Sequence, residues 1–318
     1  MSQTNILDEL KFRYQTGGIL TQLIMINVAV FILINFVQLV FVLMSSGEGV
    51  DRSVQYEQFL HYLMVPDAPK QFIKQFWSIF TYMFAHERLL HILFNMLWLY
   101  WFGTLFKNYI GESKILPVYI MGGIVGALFF MAAYNLFPVF ENVDGYAIGA
   151  SAAVMAIVFA TATMIPNYEM RFILIGSIQL KWVALIVILL DIISIPKGNA
   201  GGHIAHLGGA FYGYLFATSF KNGNDWTKPF YTVWDGIRNF FDFSSSAKKS
   251  RKSKVKMAYK NEDKIKQSQT TSTHKKAAYT SKDKQEKIDD ILDKIGKSGY
   301  PSLTEEEKAF LFQYSRED

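Results

Sequence analysis

Residues 199–213 read NAGGHIAHLGGAFYG. Two imidazoles, His203 and His206, stand at the start of a stretch otherwise made of small and apolar residues. From His206 the pattern is H-x-x-G-x-x-x-G, ending on Gly209 and Gly213. Small residues four apart let two membrane helices bring their backbones together. The stretch therefore reads as a membrane helix that carries titratable rings near one end. Ionisable groups are costly there and invite a functional reading.

The rest of the chain supports a membrane setting. It has 318 residues, 51% of them hydrophobic, and the apolar residues are gathered into six runs: 19–44, 77–105, 115–137, 148–165, 172–195 and 203–220. Several reach roughly 18–25 residues, enough for a helix to cross a hydrocarbon core of about 30 Å. The shortest is 148–165. Short polar breaks separate the runs, so the chain is expected to be an all-α polytopic bundle rather than a soluble fold with six long apolar cores. The first run is too long for the apolar part of a cleavable signal, and no small-residue cleavage site follows it. The chain has no cysteine. Thiol nucleophiles, disulfides and thiolate metal sites are thereby excluded.

Charge sets the expected orientation. Lys11 and Arg13 precede the first run, Lys107 and Lys114 separate runs two and three, and Arg171 separates runs four and five. All fall on one side of a six-span zigzag, together with a basic tail. The opposite short loops are poor in Lys and Arg. Both termini are therefore expected in the cytoplasm, with the long loop 45–76 outside. Residues 1–18 form the cytoplasmic N-terminus, 19–220 the membrane domain, and 221–284 a basic flexible linker. Within 248–284 there are 13 Lys or Arg against three acids. That segment suits anionic lipid headgroups, and no nucleic-acid module accompanies it. Residues 285–318 are expected to form a small helical hairpin. Ile288, Ile291, Leu292 and Ile295 recur at helical spacing, Gly299 is a stop, and Thr304 with Glu307 makes a capping box.

Polar groups inside the runs define a candidate site. HERLLHILFN in run two supplies His86, His91 and Asn95, the last two on one helical face. IGASAAVMAIV opens run four and places Ser151 among small residues, while His206 opens run six. In the zigzag all of these lie towards the outer face. A serine hydroxyl needs a base to take its proton, and a histidine suits that task near neutral pH. Attack on an amide creates an oxyanion that needs fixed donors, and Asn95, His91 and the Ser151 amide are candidates. Gly149 keeps the backbone beside Ser151 approachable. No acidic third member is evident, so a Ser151–His206 dyad is the economical reading. Asp191 in run five is able to orient His206, but reads more simply as a helix-end or packing group.

HERLLHILFN, GASAAV and AHLGGAFYG, in that order on runs two, four and six, resemble the rhomboid intramembrane serine proteases over roughly residues 15–220. The resemblance implies a six-transmembrane-helix bundle with a water-filled cavity open to the outside. It implies Ser151 as nucleophile, His206 as base, and His91 and Asn95 as oxyanion donors. His86 matches the earlier histidine of the run-two motif, taken as structural or water-holding. Gly149, Gly209 and Gly213 would support the site. The implied activity is endopeptidase cleavage of transmembrane protein substrates within the bilayer, in a multi-pass protein of the cell (inner) membrane, without cofactor or metal. Two positions depart from the family pattern: Ala152 follows the nucleophile where glycine is common, and Met155 stands where some members have an aromatic ring. His203 is additional and reads as a rim residue exposed to water.

Two other classes stay open on the residues alone. A zinc hydrolase would draw its ligands from His86, His91, His203 and His206, leaving Ser151 idle. A transporter or scaffold would spread polar residues towards both faces, whereas these cluster towards one.

Overall fold

The computed structural model describes residues 6–45, 52–172, 176–241, 288–295 and 302–314. These fall into two units, divided between residues 249 and 250. In the first unit the helices are α1 (Ile6–Thr16), α2 (Gly18–Leu43), α3 (Ser53–His61), α4 (Pro69–Lys74), α5 (Ser78–Thr81), α6 (Leu89–Tyr109), α7 (Ile115–Leu136), α8 (Ser151–Met164), α9 (Leu180–Ser194), α10 (Ala200–Lys221) and α11 (Lys228–Phe241). Two short antiparallel ribbons accompany them. β1 (Val65–Pro66) pairs with β2 (Tyr146–Ala147), and β3 (Glu169–Phe172) with β4 (Gly176–Gln179).

Each of the six apolar runs contains a helix. By length and composition, α2, α6 and the segment Glu112–Leu136 that includes α7 are long and apolar enough to cross a membrane. α8 is apolar but has only 14 residues, and α9 has 15. The runs and the helices differ at two places. The second run was expected to be helical from residue 77, but α6 begins at Leu89. The preceding segment is bound to other elements instead. The Tyr82 hydroxyl donates to the Gly123 carbonyl, the Tyr119 hydroxyl donates to the Met83 carbonyl at 2.7 Å, and the Gly149 amide donates to the Tyr82 carbonyl at 2.9 Å. Backbone departing from helix inside an apolar protein needs such partners. The fifth run was expected to be helical from residue 172. Its first part turns back as the β3–β4 ribbon, where Gly176 has φ +80°, and α9 begins only at Leu180.

The centre of the first unit is a seam of α7, α8 and α10. Most of α8 is buried, with Ala152, Ala153, Ala156 and Ile157 nearly inaccessible. A Cβ at Gly209 would lie 2.0 Å from the Ala152 carbonyl oxygen, and one at Gly213 would lie 2.2 Å from that of Ala156. On the α7 side, a Cβ at Gly122 would come within 2.2 Å of the Ala156 methyl. Glycine and alanine thus let three backbones approach, the arrangement expected of the H-x-x-G-x-x-x-G spacing.

Part of the expected linker 221–284 is ordered. Residues 228–241 form α11, an amphipathic helix whose Phe230 and Trp234 rings stack at 6.2 Å. The Tyr231 hydroxyl donates to the Ser113 carbonyl. Four-residue aromatic spacing gives this segment a packing face that the basic composition further on conceals. The basic stretch beyond it, and Gly299, lie outside the described residues.

The second unit contains α12 (288–295) and α13 (Glu305–Tyr314). Ile288, Ile291 and Leu303 are buried in it. The Thr304 amide donates to the Glu307 carboxylate at 2.7 Å and the Glu307 amide donates to the Thr304 hydroxyl at 3.3 Å. This is the reciprocal pattern of a capping box. Lys294 reaches Glu307 at 2.9 Å.

Candidate active site

The turn that delivers Ser151 is fixed from three sides. The β1–β2 pairing holds Tyr146 and Ala147, and the Gly149 amide donates to the Tyr82 carbonyl. The Ala150 amide donates to His86 Nε2 at 3.3 Å. Gly149 has φ +120°, a conformation that side chains disfavour, and a Cβ there would lie 2.5 Å from His91 Cε1. Glycine is therefore required at this position for its conformation and for its space.

Helix α8 starts at Ser151, and its first intrahelical bond runs from the Val154 amide to the Ala150 carbonyl at 2.9 Å. The amides of residues 151–153 precede that bond. They are the donors a helix leaves at its N-terminus, where its dipole also favours negative charge.

A cavity of about 220 Å³ opens beside this helix start. Its polar lining comes from four helices: Asn95 on α6, Ser151 on α8, Asp191 on α9 and His206 on α10. Met155, one turn beyond Ser151, lines it as well. His206 Nδ1 lies 2.9 Å from Asp191 Oδ1, and His203 Nδ1 lies 2.7 Å from the same oxygen. Asp191 itself is only 7% exposed.

Behind the cavity, His86 is buried. Its Nε2 accepts from Asn95 Nδ2 at 3.0 Å and from the Ala150 amide, while Nδ1 lies 3.3 Å from the Phe84 carbonyl. Two donors on Nε2 place the ring proton on Nδ1, where it points at the carbonyl. Asn95 spends one N–H on His86, and its second remains for the cavity. The His91 ring packs edge-on against His86, with centroids 5.1 Å apart, and against Gly149. It is not among the residues lining the cavity.

Of the residues singled out in the sequence, Ser151, His206 and Asn95 thus meet around one space. Gly209 and Gly213 form the helix contact beneath it. His86, His91 and Gly149 shape the turn behind it.

Asp191 and His203 turn out differently from their sequence reading. Asp191 is a buried acceptor for both histidines, and His203 is one of its donors rather than a bare rim residue. A signal for this was present. Asp191 lies one turn from the end of one helix, His203 and His206 lie on one face at the start of the next, and the connection between them is short. Antiparallel neighbours joined this way must bring those ends together.

The four-histidine metal set is divided, because His86 and His91 belong to the turn while His203 and His206 face Asp191. Among the described residues, the group with ligand atoms within 4.8 Å of one another is Asp191, His203 and His206. A divalent ion held there would displace the two imidazole hydrogen bonds.

Comparison with known proteins agrees with this layout. A family model described as Rhomboid domain matches residues 73–222, a range that holds every residue of the cavity. A second, described as a family of unknown function (DUF6576), matches residues 276–317. The chain is 27% identical over 161 residues to presenilin-associated rhomboid-like protein A, mitochondrial, of Danio rerio, covering 49% of this chain and 41% of that protein. It is 27% identical over 145 residues to RHOMBOID-like protein 12, mitochondrial, of Arabidopsis thaliana, covering 42% of this chain and 43% of that protein. It is 31% identical over 143 residues to rhomboid protease GlpG of Yersinia pseudotuberculosis, covering 45% of this chain and 48% of that protein. Each match spans less than half of the relative's length. The matched region contains the motifs on α6, α8 and α10 and the cavity they enclose, and on these grounds residues 73–222 are a rhomboid domain.

Proposed function

We propose that this protein is an intramembrane serine endopeptidase that cleaves transmembrane segments of membrane-protein substrates, with Ser151 as nucleophile and His206 as general base. The observation that carries the proposal is that the two residues, remote in sequence, line the same small cavity beside the N-terminus of α8. In this reading α2 and α6 to α10 are six spans of the cell (inner) membrane, with both termini cytoplasmic. A helix of 14 residues rises only about 21 Å, against a hydrocarbon core of about 30 Å. Being enclosed by protein, α8 need not match the bilayer. Anchored at its cytoplasmic end, it leaves Ser151 roughly 10 Å below the outer boundary, at the base of a cavity that water enters from outside.

A substrate segment unwinds near its outer end and passes between α6 and α9. Ser151 Oγ attacks the scissile carbonyl while His206 takes its proton. The oxyanion is met by the second Asn95 N–H and the first amides of α8. His91 contributes indirectly, by holding the Gly149 turn. His206 then protonates the leaving amine, and water releases the acyl group by the same route. A cavity of about 220 Å³ suits small side chains at the cleavage point. The basic residues of 248–284 engage anionic headgroups.

The test is cleavage of a single-span substrate in proteoliposomes, together with labelling by a fluorophosphonate. Ser151→Ala should abolish both while the protein still accumulates in the membrane. Persistent cleavage by that variant rejects the proposal. Chelators should leave activity unchanged, and loss of activity with them would favour the metal reading.

A further inference from the structure

We propose that Asp191 is a positioning residue for the base, so that the site works as a serine–histidine–aspartate relay whose acid is shared with a second histidine, His203. The inference rests on the Ser151–His206 reading and adds a third group to it.

The geometry is specific. Among the described residues, two hydrogen bonds reach the Asp191 carboxylate and both converge on Oδ1, from His203 Nδ1 at 2.7 Å and His206 Nδ1 at 2.9 Å. These are the lengths of N–H bonds to an ionised acceptor. The other oxygen, Oδ2, is buried and has no hydrogen-bond partner among the described residues. A carboxylate with 7% exposure on a helix read as spanning a membrane is costly to keep. Packing gives no reason for an acid at this place on α9, whereas a base that must be held in one tautomer does.

The chemical consequence follows from which nitrogen is anchored. With its Nδ1–H donated to Asp191, neutral His206 carries its lone pair on Nε2. That is the only ring atom left to accept the serine proton. The bond also fixes the ring about its long axis. When Nε2 takes the proton, the ring becomes an imidazolium with a carboxylate already in contact, and no group has to move to stabilise it.

His203 lies three residues earlier on α10, one turn towards the helix start, and does not line the cavity. Its role is to hold the same oxygen from the other side, so that the carboxylate cannot swing away from His206. The two rings stand edge to face, with centroids 5.8 Å apart. Two donors thus reach one acceptor without stacking on each other.

Asp191→Asn separates this role from a plain tie between α9 and α10. The amide keeps the size and one oxygen acceptor but removes the charge. With the full chain in proteoliposomes, kcat on a single-span substrate should fall at least tenfold while KM stays within about twofold and the unfolding midpoint is little changed. A kcat equal to that of the parent overturns the proposal, as does a loss confined to KM. His203→Ala, which leaves the carboxylate with the His206 bond alone, should lower kcat by a smaller factor than Asp191→Asn does, with KM little changed. A kcat for His203→Ala equal to the parent's would overturn the part given to His203 in holding the carboxylate.

If Asp191→Asn fails to fold, proton NMR of the Ser151→Ala protein, 15N-labelled at histidine, decides the matter without turnover. Low-field Nδ1–H signals are expected for both His203 and His206, and absence of the His206 signal overturns the proposal. Because that measurement needs no cleavage, a failure of the protease reading, seen as cleavage surviving Ser151→Ala, remains distinguishable from a failure of the Asp191 assignment.

Discussion

Helices α8 and α9 both bring a polar residue to the cavity, and they are held in opposite ways. α8 is enclosed by α6, α7 and α10, and from Ala152 to Val158 every side chain is buried. α9 buries Leu180, Val183, Ala184 and Asp191, while Leu185, Ile186, Leu189, Leu190, Ile192 and Ile193 stay exposed. In a bilayer those exposed side chains meet lipid, which is as apolar as they are, so there is no hydrophobic gain in pressing α9 inward. Ser151, the proposed nucleophile, therefore sits on a helix enclosed by its neighbours, and Asp191 sits on the outer wall. A wall that moves to admit a substrate carries Asp191 with it. Opening the cavity and releasing His206 would then be a single event, and closure would restore the base.

The largest expected effect tests the constrained side. Gly209→Ala places a methyl 2.0 Å from the Ala152 carbonyl oxygen, which is backbone in a helix packed on several sides. Neither helix has room to yield. Overpacking of this kind costs about 1–3 kcal/mol and sometimes more. Gly209→Ala should therefore lower stability against sodium dodecyl sulfate unfolding and reduce fluorophosphonate labelling of Ser151 to a small fraction of the parent's. Leu189→Ala on the exposed face of α9, where the side chain is 47% exposed, should change stability by no more than about 0.5 kcal/mol. Equal sensitivity of the two positions would erase the distinction between seam and wall.

The same contrast explains what could be read from the sequence. The seam was legible because it is written in local spacing: Gly209 and Gly213 four apart, and a run of alanines after Ser151. That Ser151 and His206 line one cavity was legible because each stands near the start of its run, on the same side of the six-span zigzag. Two helix starts were not legible. Leu89 and Leu180 begin their helices because Tyr82, Met83 and Gly149 find partners on other elements, and because Gly176 lets the chain turn back. Apolar residues are frequent before those points as well, at 77–85 and 172–175, so hydropathy alone starts both runs too early. Asp191 was visible as a residue, but its facing was not. One turn of helix decides whether that carboxylate meets lipid, protein or His206, and hydropathy does not resolve one turn.

A smaller effect probes the wall directly. Leu190 precedes Asp191, lines the cavity, and is 57% exposed. Leu190→Ala should widen the passage between α6 and α9 without touching the seam. If admission of the substrate limits turnover, as closure steps often do, kcat/KM for a transmembrane substrate should rise about two- to fivefold. Cleavage of a short water-soluble peptide should be unchanged. A matching change for both substrates would place the slow step in the chemistry rather than at the wall.

The smallest effect lies outside both helices, where α10 passes into α11. Asp225 accepts from the Thr227 hydroxyl at 2.6 Å and the Thr227 amide at 2.9 Å, and Lys114 lies 3.5 Å away. Burial pushes this carboxyl up, but the Thr227 hydrogen bonds and the Lys114 charge outweigh it and hold the group below the ordinary carboxylate range. A carboxyl whose value is depressed on folding stabilises the folded state fully above its unfolded value, near 4, and loses that contribution as pH falls through the folded value. Acidification below about pH 4 should therefore loosen the start of α11, read as a change in emission from Trp226 and Trp234. Asp225→Asn should remove the Asp225-dependent part of that transition and cost on the order of 1 kcal/mol at neutral pH. Fluorophosphonate labelling of Asp225→Asn at neutral pH should match the parent, because this junction meets α10 at Tyr212 and the start of α7 at Lys114, away from the residues that line the cavity. Loss of labelling in step with the tryptophan change would show that the C-terminal end of α10 transmits to His206, and that the constrained side of the molecule is less isolated than its packing implies.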